Sequence, residues 1–306
     1  MKRSYLVLVV GLILGLMFTS LAYAEDPKTV TDGLGREVVL EDTAERVVTT
    51  IASTTEIALD LGLEEELVGV PDLIQYLSYV PELQKKAEDK TKVGGFELSM
   101  EKIASLQPDL VILDASAQKE TLDKIEDMGA TVYAAGNKDV SEVKETILEI
   151  GYLTGKLDRA EKIVGEMTYK EVRLEEAVGK LDDSKEVFYT ISPKMYTPGG
   201  DTFVGQVLEM AGLDNVFSDL SGFKPVSKEE IIQQDPDLII GTEDMGLSAE
   251  ELEKQVGGSD ITAVRDGNVM LLPTGEDSMI NQPGTKIVDG AIGLFERVYD
   301  EEVDLG

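Results

Sequence analysis

The sequence predicts an α/β protein of two mainly parallel-sheet lobes joined by one long rigid helix. Three observations carry that expectation. Strand and helix patterns alternate on both sides of a central stretch, residues 141–181 form a helical linker with one long helix, and a Glu…Pro-Asp-Leu unit occurs twice, 128 positions apart.

The alternation starts with a short strand at Glu37–Leu40 and a β-branched strand at Arg46–Ile51. Ser53, Thr54 and Thr55 supply hydroxyl caps for a helix carrying Ile57, Ala58, Leu59 and Leu61, which Gly62 closes. A strand at Leu67–Val70 ends at Pro71-Asp72. A capped helix at Ser99–Leu106, a strand at Leu110–Leu113, a helix at Lys119–Met128 and a strand at Thr131–Ala134 complete the first lobe. Such alternation builds a parallel sheet covered by helices.

The central stretch holds a helix at Ser141–Gly151 and a longer one from Asp158 to about Leu181. Ala160, Ile163, Val164, Met167, Leu174, Ala177 and Val178 recur there at helical spacing. At 1.5 Å per residue it is about 35 Å long. It lacks proline, so it reads as a strut and not as a flexible linker. Alternation then resumes with a strand at Val187–Ile191 and helices at Val204–Met210 and Lys228–Gln233. A strand at Leu238–Gly241, a helix at Glu250–Gln255, a strand at Val269–Leu272 and a last helix at Lys286–Tyr299 follow. The expected units are residues 1–24, 25–140, 141–181 and 182–306.

The first unit is an export signal. Lys2 and Arg3 precede the apolar run Tyr5–Phe18, and Ala22-Tyr23-Ala24 places small residues at a cleavage site. The chain has no cysteine, so neither disulfides nor an acylated N-terminal Cys are expected. The mature chain is expected to be soluble, monomeric and extracytoplasmic, in a periplasm. The full sequence has 60 acidic against 28 basic side chains, a net charge of −32, which excludes nucleic acid and anionic lipid as partners. An apolar content of 42% is too high for a disordered acidic chain.

The repeat carries the most information. Glu101 precedes Pro108-Asp109-Leu110-Val111-Ile112, and Glu229 precedes Pro236-Asp237-Leu238-Ile239-Ile240; Ile103 matches Ile231. A helix, a Pro-Asp turn and a buried strand are thus used once per lobe. Two such lobes on a stiff spine leave a cleft, and small molecules bind at domain interfaces, beyond the carboxyl ends of sheet strands. The expected ligand-binding residues are Ser53, Thr54, Asp72, Tyr76, Tyr79, Gly95, Phe96 and Ser116 from the first lobe. The second lobe adds Lys194, Tyr196, Phe223, Lys224, Met245 and Asn281. Glu101 and Glu229 each open a surface helix, where a carboxylate complements the helix dipole. As a matched pair they also suit two arginines of a symmetric partner.

At nearly all of residues 30–300 the sequence resembles the periplasmic binding proteins of the vitamin B12, ferric-siderophore and haem ABC importers, whose lobes are joined by one long helix. The carriers are Val30-Thr31-Asp32-Gly33-Leu34-Gly35-Arg36, Arg46-Val47-Val48, Ser53-x-Thr55-Glu56 and Val93-Gly94-Gly95-Phe96. To these add both Pro-Asp-Leu units, Ala211-Gly212-Leu213-x-Asn215, Val226-Ser227-x-Glu229 and Pro283-Gly284-x-x-Ile287-Val288-Asp289-Gly290. The resemblance implies an ABC permease dimer in the inner membrane as partner, with Glu101 and Glu229 where the family docks on permease arginines. The cargo it implies is a metal chelate, a ferric siderophore or a corrinoid, with no other cofactor and no metal bound directly by the protein.

Composition narrows the cargo. With neither His nor Cys, the imidazole and thiolate ligands of zinc and manganese sites are missing. None of the seven arginines falls in the expected lining, where Lys194 and Lys224 are the only cations, so a neutral or cationic chelate is favoured over an anionic one. Haem remains an alternative, with Tyr76, Tyr79 or Tyr196 as iron ligand. So does a chelatase-like enzyme on the same architecture, although catalysis without His would need a rarer nucleophile such as a Ser–Lys pair. No catalytic residue is assigned.

Overall fold

The structure is a computed structural model that describes residues 27–95, 97–115 and 121–306. The expected signal peptide, Phe96 and Ser116 lie outside the described residues.

An antiparallel hairpin opens the chain, β1 (Lys28–Thr31) with β2 (Glu37–Leu40), Lys28 opposite Leu40. Only β2 was legible, because its Val38 and Leu40 face inward in strict alternation while β1 has no buried residue. Buried Asp32 pins the turn: its carboxylate accepts from the backbone N–H of Leu34 and Arg36 and pairs with the Arg36 guanidinium at 2.7 Å.

The N-terminal lobe is a five-stranded parallel sheet of β3 (Val47–Thr49), β4 (Leu67–Val70), β5 (Thr91–Lys92), β6 (Leu110–Asp114) and β7 (Thr131–Ala135), in the order β5-β4-β3-β6-β7. β6 is buried along its whole length, as expected of a strand covered on both faces. The helix after β3, Ala52–Asp60, starts earlier than its hydroxyl residues implied. Its N-cap is Ile51, which has no side chain to cap with, and the hydroxyls of Thr54 and Thr55 donate back to the Ile51 carbonyl. Ser53, Thr54 and Thr55 are therefore inside the helix and do not cap it.

The C-terminal lobe repeats this plan. β8 (Lys185–Tyr189), β10 (Leu213–Asn215), β12 (Leu238–Thr242) and β13 (Val269–Leu272) form a parallel sheet in the order β10-β8-β12-β13. β9 (Tyr196–Pro198) and β11 (Phe223–Pro225) make a separate antiparallel ribbon. The repeated unit superposes in detail. Helices Met100–Leu106 and Lys228–Gln234 are capped by Ser99 and Ser227, which puts Glu101 and Glu229 at the same second helical position. Both helices end on a left-handed residue, Gln107 (φ 48°) and Asp235 (φ 46°), just before the Pro-Asp pair. The aspartate N–H then bonds the head of the neighbouring strand, Asp109 to the Arg46 carbonyl at 3.0 Å and Asp237 to the Glu186 carbonyl at 2.9 Å. Each aspartate carboxylate returns a bond to the same region, from Arg46 N–H at 3.1 Å and from Glu186 N–H at 3.3 Å.

Between the sheets run helix Val140–Leu153 and the unbroken 22-residue helix Leu157–Val178. At 1.5 Å per residue this spine is about 33 Å long. It buries Ala160, Met167, Leu174 and Ala177 along one stripe. The C-terminal segment straps it: the Tyr169 hydroxyl donates to the Leu305 carbonyl at 3.1 Å, Arg173 donates to the Asp304 carbonyl at 2.6 Å, and Val303 is buried. The inner faces of both sheets, through Leu110 and Ile112 in β6 and Leu238 and Ile240 in β12, join the spine in one apolar core. Their outer faces, Val111 and Leu113 in one lobe and Ile239 in the other, belong to two separate satellite cores. Among the described residues no helix is long and apolar enough to cross a membrane.

Candidate functional site

In the N-terminal sheet β3 connects outward to β4 and β6 outward to β7, so the chain changes direction between β3 and β6. Ligands of open α/β sheets bind beyond the carboxyl ends of the strands at such a switch point. Here those ends lead into Ile51, Ala52 and Ser53 on one side and Asp114 on the other. They line a cavity of about 280 Å³, with Leu73, Tyr76 and Asn137 completing the N-terminal wall. The opposite wall is Asn281, Gln282 and Pro283 of the second lobe. Among the described residues Asp114 is the only charged one in the lining, and none is cationic.

Each wall holds an asparagine in a fixed attitude. Asn137 Nδ2 donates to Asp114 Oδ2 at 2.6 Å. Asn281 Nδ2 lies 2.7 Å from the Tyr189 hydroxyl oxygen and 2.9 Å from both the backbone carbonyl and the carboxylate of Asp277. Tyr189 in turn donates to Asp277 Oδ1 at 2.6 Å. Burial pushes the Asp277 carboxyl up from its ordinary range, and the bond from Tyr189 opposes that. Burial and the Asp277 charge push the Tyr189 phenol up as well, so it stays a donor.

Beside the cavity a polar cluster ties the lobes together. Glu56, wholly buried in helix Ala52–Asp60, accepts from the Thr285 hydroxyl at 2.7 Å, from Lys286 N–H at 3.1 Å and from the Tyr79 hydroxyl. Thr285 also bonds Asp60, which Lys286 Nζ approaches to 3.6 Å. Gly284 passes so close that a Cβ on it would meet the Glu56 carboxyl carbon at 2.8 Å. Burial raises the Glu56 pKa; the hydrogen bonds from Tyr79 and Thr285 partly counter it.

Of the expected ligand residues, Ser53, Tyr76 and Asn281 line the cavity, and buried Thr54 sits in the same helical turn. Gly95 packs against the cavity residue Leu73, whose side chain an added Cβ would touch at 3.4 Å. Asp72 is exposed and outside the lining, its N–H bonded to the Gly94 carbonyl at 2.8 Å. Lys194, Tyr196, Phe223 and Lys224 are exposed on the ribbon and the loop beyond the carboxyl end of β8, also outside the cavity. Two residues lie elsewhere. Tyr79 is turned into the cluster by Glu56, and Met245 is buried in the outer core of the C-terminal lobe, its sulfur close behind Gly241. Sequence reasoning missed Asp114 and Asn137. Asp114 is the last residue of buried strand β6, just before the expected Ser116, and Asn137 lies two residues past the end of β7, where no ligand residue was expected.

Wider depressions exist. One of about 520 Å³ flanks edge strand β10 and includes Glu186 and Asp214 at strand amino ends. Another of about 600 Å³ lies between Asp139–Ser141 and helix Phe203–Met210. The smaller cavity is the one at the switch point with both lobes contributing.

The profile of the periplasmic binding protein family matches residues 47–275. The chain belongs to this family. As a periplasmic binding protein it is similar to the uncharacterised ABC transporter substrate-binding lipoprotein YvrC of Bacillus subtilis, 30% identical over 90% of this chain and 86% of that one. It is also 30% identical to the cobalamin-binding protein of Halobacterium salinarum, over 86% of this chain and 72% of the relative. Among solved structures, a possible iron-binding, periplasmic solute-binding protein of Staphylococcus epidermidis superposes with a TM-score of 0.71. It is 30% identical and covers 84% of this periplasmic binding protein and 100% of the other chain.

Proposed function

We propose that this periplasmic binding protein is the solute-binding component of an ABC importer, and that its cargo is a neutral or cationic metal chelate, a corrinoid ahead of a ferric hydroxamate. The observation that carries this reading is a two-walled cavity at the sheet switch point whose lining, among the described residues, has one carboxylate and no cation. An anionic ferric catecholate or citrate complex would enter such a site without a counter-charge, at a desolvation cost. Similarity to a cobalamin-binding protein over 86% of the chain supports the corrinoid. Among the described residues no three Asp or Glu side chains form a group able to hold a metal ion, which supports a chelated cargo over a bare one. The cavity of about 280 Å³ is smaller than a typical ligand pocket, so it receives one edge of the chelate while the bulk rests between the lobe rims.

In this reading the protein is exported, works as a soluble monomer without lipid on a cysteine, and hands its cargo to a permease dimer through Glu101 and Glu229. Haem is the second reading, favoured by one observation: Tyr76 lies half-buried on the cavity wall, where its phenol can reach a bound iron. A thermal-shift panel separates them. Cyanocobalamin, cobinamide or a ferric hydroxamate should raise the melting temperature by mass action, while ferric catecholates and ferric citrate should not. A shift with haem alone would replace the proposal with the second reading.

A further inference from the structure

We infer that the cavity selects its cargo by presenting hydrogen-bond acceptors from both walls, the side-chain carbonyls of Asn281 and Asn137, to a donor-bearing edge of the ligand. This inference rests on the binding-protein reading above and specifies the chemistry of the same site.

An asparagine offers two donors on Nδ2 and an acceptor on Oδ1, and its neighbours decide which faces outward. At Asn281 the neighbours are a backbone carbonyl, a carboxylate oxygen and the oxygen of Tyr189, whose proton is already committed to Asp277. All three accept. Only Nδ2 can face them, and the 180° turn of the amide would set Oδ1 against oxygen lone pairs. Oδ1 is therefore directed away from the protein partners, and among the described residues no donor reaches it. The same logic holds on the other wall, where the Asp114 carboxylate takes Asn137 Nδ2 at 2.6 Å. Both amides are thus locked with their carbonyls turned outward, in a cavity whose lining, among the described residues, includes Asp114 and no lysine or arginine.

A ligand edge that satisfies two carbonyls and sits beside a carboxylate carries N–H groups: primary amides, or an ammonium. A carboxylate or acyl edge leaves the acceptors unpaired and opposes like charge. Asp277 and Tyr189 act as positioning residues, since they fix Asn281 from below without lining the cavity.

The test uses two pairs of probes that differ at one edge. Cyanocobalamin is compared with its monocarboxylate, in which one peripheral amide has become an acid. A ferric hydroxamate with a free terminal ammonium is compared with the analogue in which a methyl group replaces that ammonium. For whichever class binds, the donor-bearing form should bind at least about tenfold tighter, the scale of one lost hydrogen bond to an unsatisfied buried group. Asn281→Ala and Asn137→Ala should each reduce that ratio severalfold while weakening the acid or methyl form little. Asp277→Asn should reduce it too, because the Asn281 amide is then free to turn, and Tyr189→Phe should act in the same direction. Variants are compared at matched melting temperature, and the two alanine variants on separate lobes guard against one misfolding.

Equal binding of both members of a pair to the native protein would overturn the inference while leaving the transport reading intact. So would an unchanged ratio in both alanine variants. Binding of none of the four probes would remove the corrinoid and hydroxamate reading, and the inference with it.

Discussion

The Thr285 hydroxyl donates to the Glu56 carboxylate at 2.7 Å across 229 residues of chain and from one lobe to the other. Around this bond a carboxyl group with no solvent exposure is held by three donors from two segments.

Glu56→Ala strands the Thr285 hydroxyl, the Lys286 N–H and the Tyr79 phenol together, at about 3 kcal/mol or more. Glu56→Gln keeps an acceptor and a donor and costs less. Because burial raises the Glu56 pKa in the folded protein, the folded state holds that proton more tightly than the unfolded chain does. Stability from this group is full below the ordinary glutamate range and is lost as pH rises through the raised value. Thermal unfolding between about pH 4.5 and pH 8 should therefore fall less steeply for Glu56→Gln than for the native protein. An identical slope in both would show that the carboxyl does not titrate between those limits.

Glu101 and Glu229 are exposed, and among the described residues neither makes a hydrogen bond or an ion pair. Replacing both with alanine should change stability by less than about 0.5 kcal/mol for each site and leave cargo affinity unaltered. Uptake by cells or by permease-containing vesicles should be lost. Normal uptake by the double variant would show that permease contact is made elsewhere.

The spine Leu157–Val178 has no break, and Tyr169 and Arg173 bind it to the C-terminal segment. Closure on cargo must bend this rod or strain the Glu56 cluster. X-ray scattering of the empty and loaded protein should therefore give radii of gyration within about 1 Å of each other, small against the ~19 Å expected of a compact chain this size. A contraction of several ångströms would mean that the spine or the cluster yields.

A net charge of −32 repels itself over the whole surface. Raising sodium chloride from about 0.05 M to about 1 M shortens the screening length from above 10 Å to about 3 Å and should raise the melting temperature by at least about 3 °C. An uncharged osmolyte of equal osmolarity serves as control. No difference between the two would assign the effect to solvent exclusion and not to charge.

What the sequence disclosed depended on how local the signal was. The spine was readable because Ala160, Met167 and Leu174 recur along one helix, and the lobe plan because the Glu…Pro-Asp unit is written twice in plain letters. Ribbon strands β9 and β11 were not readable, since three-residue strands have too few positions to show a period. Helix Thr274–Asn281, expected as a loop, turns Asp277, Ser278 and Ile280 inward and bonds Asp277 to buried Tyr189, a partner that no local pattern announces. Tyr79 was placed in the cleft on its residue type. Its true position depends on Glu56, a helical residue whose burial no periodicity reveals. Met245 looks like a lining residue after β12 until the absence of a side chain at Gly241 lets its sulfur fold under the sheet. Asn281 was readable as a lining residue; that its amide is locked carbonyl-outward was not, because the lock is built from Tyr189, 92 positions away.

The bare α-carbon of Gly284 against the Glu56 carboxyl group has an evolutionary consequence. Any substituent at 284 would occupy the volume that the acid fills, so the two sites form a single word spelled across distant parts of the gene. Homologues should either keep both letters or change both, with a shorter residue at 56 accompanying any larger one at 284.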